Sequence, residues 1–323
     1  MAGRHEGVPR GGSLTLRKTG LLELLRTIDE SPESRYRVLS MECEFRHRIN
    51  LHLQSLPVSS ALFSKFRTSP YVLLIHARHN HYTRISQIEH DIIPAKQFAS
   101  METSAGRMVE EVALRTFGWE PVPSGMHTGN SALDGRRIED SLLRLATLKS
   151  GPRCLNDEMS DNFADAIVNN FEDWALEAQK TRIDFTYGVL YGTRKESNKK
   201  DWHILRNIKR KRPGWITVDP ENQWLCAFVS RGISVDVTIR IGIEWWTHLG
   251  GNTCFIELLT ALIRACIDPG EPDPSTSRYT ISDLNSIVSM ESVSDNFNVS
   301  ILQRSQIPWL FFMARHFCDN LTD

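Results

Sequence analysis

Apolar positions recur every three or four residues along the early part of the chain. The spacing is clear in "GLLELLRTID" and "VLSMECEFRHRINLHLQSL", between residues 15 and 68, and is typical of helices that bury one face. The next stretch, "SPYVLLIHARHNHYTRISQIEHDIIPAKQF", is consistent with a short helical module. The pattern therefore predicts a mainly helical N-terminal domain over residues 1–97.

Beyond residue 97 the pattern alternates between helix and strand. "TSAGRMVEEVALRTFG" predicts a helix that begins at the cap candidate Thr103, and "NSALDGRR" and "SLLRLATLK" predict two strands joined by a polar turn. A long amphipathic helix from "NDEMSDNF", the strand "IDFTYGVLYGT", one or two strands in "FVSRGISVDVTIRIGIEWWTHLGG" and the helix "CFIELLTALIRACI" follow. This order predicts an α/β fold over residues 98–267, with a mixed central sheet flanked by helices.

The remaining residues, 268–323, begin with the Pro- and Ser-rich stretch "DPGEPDPSTS". Such a composition is typical of a linker. The later segment "IPWLFFMARHF" is apolar, so we expect it to pack on the core.

Composition narrows the class of protein. The chain has 323 residues, of which 41% are hydrophobic and 24% charged, and this excludes wholesale disorder. No apolar run approaches the ~18 residues of a membrane helix, and no secretory signal is evident, so we expect a cytoplasmic protein with no membrane partner. The six cysteines form no CxxC pair, which argues against a zinc ribbon and fits a reducing compartment.

The net charge of −1 gives no overall attraction to nucleic acid, but the charge is unevenly distributed. Residues 194–212, "RKESNKKDWHILRNIKRKR", hold nine Lys or Arg residues against Glu196 and Asp201, a local balance of 9 − 2 = +7. Such a segment can neutralise several phosphates. A solvated charge run without a partner is the other interpretation, and both remain open at this point.

The strand pair carries the candidate chemistry. Asp134 lies near the end of the first strand and Lys149 near the end of the second, fifteen positions later, so a hairpin can bring them together. Phosphodiester hydrolysis requires an activated water and neutralisation of charge at phosphorus; carboxylates that hold Mg²⁺, with a lysine beside the phosphate, supply both. Glu110, on the preceding helix, is a further carboxylate candidate. The structural alternative is that Asp134-Gly135 forms a turn and Lys149 an exposed strand end.

Taken together, these segments resemble a known family. The helix "AGRMVEE", the pair "ALDGRR…LRLATLKSGP", the helix start "LND", the strand "FTYGVLYG" and the element "RIGIEWWTHLGG" resemble the catalytic core of type II restriction endonucleases of the PD-(D/E)xK superfamily. The resemblance covers roughly residues 98–266. It implies a restriction-endonuclease-like core, Mg²⁺ as cofactor, and double-stranded DNA cut at a palindromic site by a homodimer. It also implies a cognate DNA methyltransferase as a genetic partner.

The resemblance assigns roles to individual residues. Asp134 becomes the metal-binding aspartate, Lys149 the catalytic lysine, and Glu110, or else Glu111, the helix glutamate that completes the catalytic and metal-binding set. The backbone carbonyl of Leu148 becomes a further metal ligand.

The chain departs from the family pattern at Thr147, where the family usually has Glu or Asp. A threonine hydroxyl is a poor Mg²⁺ ligand. Glu110 is the best candidate to replace the missing carboxylate. Glu139 and Asp140 are alternatives, but the turn that holds them is expected to point away from the site.

Two basic regions are candidates for DNA contact. In "HARHNHYTRISQIEH" we predict contacts from Arg78, Tyr82 and Arg84, since Arg can read base edges and hydroxyls reach phosphates. The histidines of the same stretch match no common zinc site and are better explained as surface residues. In the basic segment 194–212 the predicted contacts are Lys199, Lys200, Arg206, Lys209 and Arg210.

Two other functions remain open. Thr147 suggests a DNA-binding protein on an inactive nuclease fold. A repair or recombination nuclease that selects DNA structure rather than sequence is the third possibility.

Overall fold

The computed structural model of the protein describes residues 11–56, 58, 70–123, 126, 133–269, 284–288, 293–294 and 296–323. Most of the linker stretch 268–277 therefore lies outside the described residues. The helices are α1 Lys18–Glu30, α2 Pro32–Ser55, α3 Pro70–His79, α4 Ser86–Thr116, α5 Asp157–Ala178, α6 Trp202–Lys211, α7 Ile243–Gly250, α8 Cys254–Cys266, α9 Leu284–Val288 and α10 Ile307–Ala314. The strands are β1 Thr15–Arg17, β2 Gly135–Ile138, β3 Leu143–Lys149, β4 Arg182–Val189, β5 Ile216–Val218, β6 Leu225–Ser230, β7 Ile233–Ile241 and β8 Asn320–Thr322.

A six-stranded sheet in the order β2-β3-β4-β7-β6-β5 forms the centre of the molecule. Strands β3, β4 and β7 run parallel, while β2, β6 and β5 pair antiparallel with their neighbours. The three parallel strands finish in register at Lys149, Val189 and Ile241. We call this the carboxyl end of the sheet. The mixed sheet predicted from the sequence is confirmed.

Helices cover both faces of the sheet, and the side chains of β3 alternate between the two cores that result. Leu143 and Leu145 belong to a core shared with α5 and α6. Ala146 and Leu148 belong to the other core, which holds residues of α4, α7 and α8. Alternate residues of a strand point to opposite faces. Lys149 therefore lies on the α5 face, in step with Leu143 and Leu145.

The N-terminal helices share the second core instead of forming one of their own. Helix α2 packs against α8 and α4, and Arg37 on α2 makes a two-pronged ion pair with the fully buried Glu257 on α8, at 2.6 and 2.7 Å. The boundary predicted after residue 97 falls inside α4. A continuous helix thus joins the predicted N-terminal and central parts.

The C-terminal segment also packs on this core. Leu310 and Phe311 of α10 are fully buried in it, and β8 pairs in parallel with β1. The two ends of the described chain are therefore held side by side.

Two local predictions need correction. Helix α4 begins at Ser86, not at Thr103, and continues through Pro94. Trp245 and Trp246 lie on α7, not in a strand, and both are buried in the core that also holds residues of α4 and α8. The reason is Gly242, whose φ of +57° ends β7 and whose carbonyl accepts hydrogen bonds from both tryptophan amides.

Among the described residues, no single helix is long and apolar enough to span a membrane. In that described part of the chain, one pair of helices, α7 and α8, meets the required length and composition when taken together, and the pair is bent by 101° at the break.

Candidate functional site

Asp134 is held at the carboxyl end of the sheet by the hairpin of β2 and β3. It directly precedes β2, which pairs antiparallel with β3. Its amide donates to the Ala146 carbonyl at 2.8 Å, and its carboxylate Oδ2 accepts from the Leu148 amide at 2.6 Å. The Asp134 side chain thus adds one hydrogen bond beyond the backbone pairing of β2 and β3. This bond fixes the carboxylate next to the last residues of β3.

The Leu148 backbone faces the same side as Asp134. The next carbonyl along, that of Lys149, accepts from the Leu190 amide at 2.9 Å and so points toward β4. Successive peptide groups of a strand point in opposite directions. The Leu148 carbonyl therefore points toward β2 and Asp134, as its expected role as a metal ligand would require.

Glu110 reaches this end of the sheet because α4 passes close to it. A Cβ added at Gly106 would lie 3.0 Å from the Ser150 Cβ, so a glycine permits the close approach of α4 to the end of β3. One turn later, Glu110 shares with Asp134 a cleft of about 210 Å³. Arg48, Glu111, Leu114, Arg115, Trp119, Glu120 and Pro121 complete its lining.

The ionised form of Glu110 is disfavoured in this cleft. Burial, together with the charge of Asp134, raises the pKa of Glu110 to about 8, although the charge of Lys149 opposes the shift. Glu110 makes no hydrogen bond or ion pair with any described residue. An uncompensated carboxyl next to a second carboxylate is well suited to a bound cation.

The neighbouring Glu111 is bound differently. Its carboxylate accepts hydrogen bonds from Arg48 of α2 and from Arg107 of α4. Although burial opposes the change, the two hydrogen bonds lower the pKa of Glu111. Of the two helix glutamates, Glu110 is therefore the one left available at the cleft.

Lys149 lies on the other side of the same strand end. Its ammonium stands 5.8 Å from the centroid of the Phe163 ring on α5, and it does not line the cleft of Glu110 and Asp134. Among the described side chains it makes no ion pair. The structure thus brings all three predicted catalytic residues to one end of the sheet but places the lysine on the α5 face.

Thr147 is almost fully buried, with 1% of its surface exposed, and shares the α5 face with Leu145 and Lys149. A carboxylate at this position would be enclosed by that core. The alternatives Glu139 and Asp140 lie in the β2–β3 turn, at the opposite end of the hairpin and about 20 Å away along β3. Glu139 is paired there with Arg144 at 2.9 Å.

Within the described residues, no group of three or more His, Cys, Asp or Glu side chains has an arrangement that could hold a metal ion. The candidate ligands are two carboxylates and one backbone carbonyl, all oxygen donors, which suit Mg²⁺ because it retains several waters in most protein sites. The donor set fits this ion, and it requires water or phosphate oxygens to complete the coordination.

The predicted DNA contacts on the N-terminal side occupy three different environments. The Tyr82 hydroxyl donates to the Asp91 carboxylate, so it is engaged in a contact with α4. Arg84 is exposed in the turn before α4. Arg78 is exposed on the outer side of α3.

The basic segment is largely neutralised by carboxylates that lie outside it. Lys200 pairs with Asp157 at 2.6 Å, Lys209 with Asp219 at 2.5 Å, and Arg210 with Asp161 at 2.7 Å. The Lys199 ammonium donates to the Arg194 carbonyl and lies 5.5 Å from the Trp224 ring centroid. Arg206 is exposed on α6 and forms no ion pair with any described residue.

Sequence reasoning missed a polar cluster at the opposite end of the sheet. Arg144 and Asp184 are cross-strand neighbours joined at 3.1 Å, and His248 of α7 approaches Asp184 at 3.9 Å. Burial lowers the pKa of His248 to about 3, with Arg240 and Arg144 adding to the effect, so this imidazole is neutral. The alternation of charged residues along β3, β4 and β7 was the signal available in the sequence.

No protein-family model matches the chain, and no curated protein matches it. The assignment of a function therefore depends on the residues of the site.

Proposed function

We propose that the protein is a type II site-specific DNA endonuclease that hydrolyses phosphodiester bonds in double-stranded DNA with Mg²⁺. The observation that carries this proposal is the meeting of Glu110, Asp134 and the Leu148 carbonyl at the carboxyl end of the sheet, with Lys149 on the same strand end. Two neighbouring carboxyl groups repel each other when both are ionised, and a divalent cation bound between them relieves that repulsion. The mixed sheet flanked by helices is compatible with the restriction-endonuclease-like core that we propose for it.

Each residue has a defined part in this chemistry. Glu110 and Asp134 hold the cation, and the Leu148 amide fixes the Asp134 carboxylate in place. Mg²⁺, when bound, supplies positive charge at phosphorus and lowers the pKa of a coordinated water. The Lys149 ammonium leaves its position over Phe163 to neutralise a non-bridging phosphate oxygen. Water attacks phosphorus and loses a proton to solvent, while the bond to one bridging oxygen breaks and that oxygen takes a proton from solvent.

DNA is held by charges that the fold leaves unpaired. Arg84 and Arg206 are the strongest candidates, since both are exposed and neither has an ion-pair partner among the described residues. Two copies of the chain would cut the two strands of a palindromic site. A cognate DNA methyltransferase, encoded separately, would protect the host.

Incubation of the purified protein with phage DNA and MgCl₂ tests the proposal. We expect discrete fragments from the wild type, none from Lys149→Ala, and unchanged fragments from the control Lys180→Ala, whose lysine donates to the Asp140 carbonyl at the other end of the sheet. Cleavage by Lys149→Ala that matches the wild type would show that the site is wrongly assigned.

The buried Thr147 favours a second candidate, a DNA-binding protein on an inactive nuclease fold. That function would retard DNA in a gel without cutting it. A structure-specific repair nuclease would instead give a smear or nick junctions selectively.

A further inference from the structure

Helix α3 presents apolar side chains to the outside of the molecule. Tyr71, Leu74 and Ile75 are 76%, 71% and 70% exposed, and Arg78 continues the same side. The spacing i, i+3, i+4, i+7 places these four residues on one stripe of the helix. We call Tyr71, Leu74, Ile75 and Arg78 the α3 stripe.

The orientation of the α3 stripe is set by polar contacts on the inner side of the helix. His76 is 2.8 Å from the Asp91 carboxylate of α4, and the Tyr82 hydroxyl, just beyond α3, donates to the same carboxylate. These contacts direct the stripe away from α4. In the part of the chain that the structure describes, no segment covers it.

The size of the α3 stripe suits the centre of an interface. A fully buried apolar side chain of this size removes roughly 60–120 Å² from water, so the three apolar residues together with the neighbouring Val72, which is 55% exposed, offer on the order of 250 Å² on each copy. With a polar rim this approaches the ~600 Å² per partner of a small specific interface.

We propose that the α3 stripe is the contact between two copies of this chain. The stripe is symmetric about a point between Leu74 and Ile75. When two α3 helices cross antiparallel at that point, Leu74 of one copy meets Ile75 of the other, and Tyr71 meets Arg78. The aromatic face of Tyr71 then receives the guanidinium of Arg78 from the other copy. A two-fold axis requires this self-complementarity.

The choice of a second copy as the partner rests on the proposed function, since cutting both strands of a palindrome requires two sites. It also transfers Arg78 from the predicted DNA contacts to the contact between copies. Arg84, beyond the end of α3, stays free to reach DNA.

Sedimentation of the full-length protein tests the proposal. We expect a dimer with a micromolar dissociation constant, a constant raised at least ~100-fold in the double variant Leu74→Asp/Ile75→Asp, and no change in the control Leu176→Asp. Leu176 is 78% exposed on α5, far from the stripe in sequence. Circular dichroism melting verifies that each variant is folded. A wild type that is monomeric at 100 µM (a concentration chosen for the test), or a dimer indifferent to the double variant, overturns the proposal.

Charge exchange tests the antiparallel register. Tyr71→Lys places two cations together and Arg78→Glu removes the cation–π pair, so each should weaken the dimer about tenfold, and the combined variant should restore it by pairing Lys with Glu. If the combined variant is weaker than either single one, the register is wrong. A wild type that stays monomeric and sediments with vesicles containing phosphatidylserine would make the stripe a lipid-binding surface and contradict the proposal.

Cleavage assays separate this inference from the proposed function. A wild-type dimer that the double variant dissociates, and that never cuts DNA, supports the α3 contact and contradicts the nuclease. Double-strand cleavage by the monomeric Leu74→Asp/Ile75→Asp variant at the wild-type rate supports the nuclease and contradicts the dimer.

Discussion

The carboxyl end of the sheet and helix α6 both carry charged residues that the sequence marks as candidates for function. In the folded protein the charges of α6 are mostly paired, whereas Glu110 at the carboxyl end of the sheet is not. On α6 and the segment before it, Lys200, Lys209 and Arg210 each contact an aspartate from another part of the chain. At the carboxyl end of the sheet, Glu110 is half-buried beside Asp134 without a described partner.

The difference separates charges that form ion pairs within the fold from a charge that remains available to a ligand. The ion pairs of α6 join this helix to α5 and to the segment before β6, and they reduce the local excess of nine cations that the sequence shows. An unpaired, half-buried carboxyl disfavours the folded state unless a ligand compensates it. The second region is therefore the better candidate for function, although its local charge is smaller.

The largest expected effect is on cleavage. Asp134→Asn keeps an oxygen to accept from the Leu148 amide but removes the charge, so single-turnover cleavage with MgCl₂ should fall by on the order of 10²–10³-fold. The control Asp173→Asn, at an exposed position on α5, should keep the wild-type rate. Equal rates for the two variants would remove Asp134 from the site.

The next effect concerns Thr147 and stability. Thr147→Glu places a carboxylate in a position that is 1% exposed, so the free energy of unfolding in urea should fall by about 2–4 kcal/mol. Thr181→Glu, at an exposed position before β4, should change it little. A variant at Thr147 as stable as the wild type would mean that the site already accommodates an anion there.

The third effect is the pH dependence due to Glu110. Its pKa of about 8 in the folded protein exceeds the ordinary value of 4.5, so the folded state holds the extra proton and loses stability as the pH rises from about 4.5 through 8. Glu110→Gln should therefore stabilise the metal-free protein at pH 9, by about 1–3 kcal/mol after allowance for solvent, and change it little at pH 4. Melting curves at both pH values, with Glu177→Gln as the control, measure this. A gain of equal size at pH 4 would contradict the assigned pKa.

The smallest expected effects concern DNA binding by two arginines of α6, Arg206 and Arg210. Arg206→Ala should weaken DNA binding at low salt and reduce the slope of log K against log salt by about one, since it removes an unpaired cation. Arg210→Ala should alter the slope less, because Arg210 is paired with Asp161, and should change the free energy of unfolding by less than about 0.5 kcal/mol. Fluorescence anisotropy with labelled duplex DNA measures the slopes. A larger loss from Arg210→Ala would reverse the comparison.

Local patterns predicted part of the fold and of the site. Apolar residues in strand-like patterns located β3 and β4, and apolar residues spaced three or four apart located α5. The hairpin that carries Asp134 and Lys149 follows from the polar turn between two short apolar runs. The sequence could not show that α1 and α2 share a core with α8, since the Arg37–Glu257 contact joins residues 220 positions apart. Nor could it show that α6 is neutralised by Asp157, Asp161 and Asp219, because such pairing depends on the packing of α5 and the loops.

Glu110 and Glu111 illustrate the limit most clearly. The helical pattern places Glu110 at the border of the buried stripe and Glu111 away from it, but only the arrangement of α2 shows that Arg48 engages Glu111. The face of β3 on which Lys149 lies could be derived from alternation, but its contact with Phe163 depends on the position of α5.

Calorimetric titration of MgCl₂ into the DNA-free protein at pH 7, in two buffers of different ionisation enthalpy, measures whether Glu110 gives up its proton when Mg²⁺ binds. We expect Mg²⁺ binding to release close to one proton from the wild type, because Glu110 must ionise to bind the cation, and to release none from Glu110→Gln. Proton release that persists in Glu110→Gln, or Mg²⁺ binding to the wild type without proton release, would contradict the claim that Glu110 and Asp134 form the metal site.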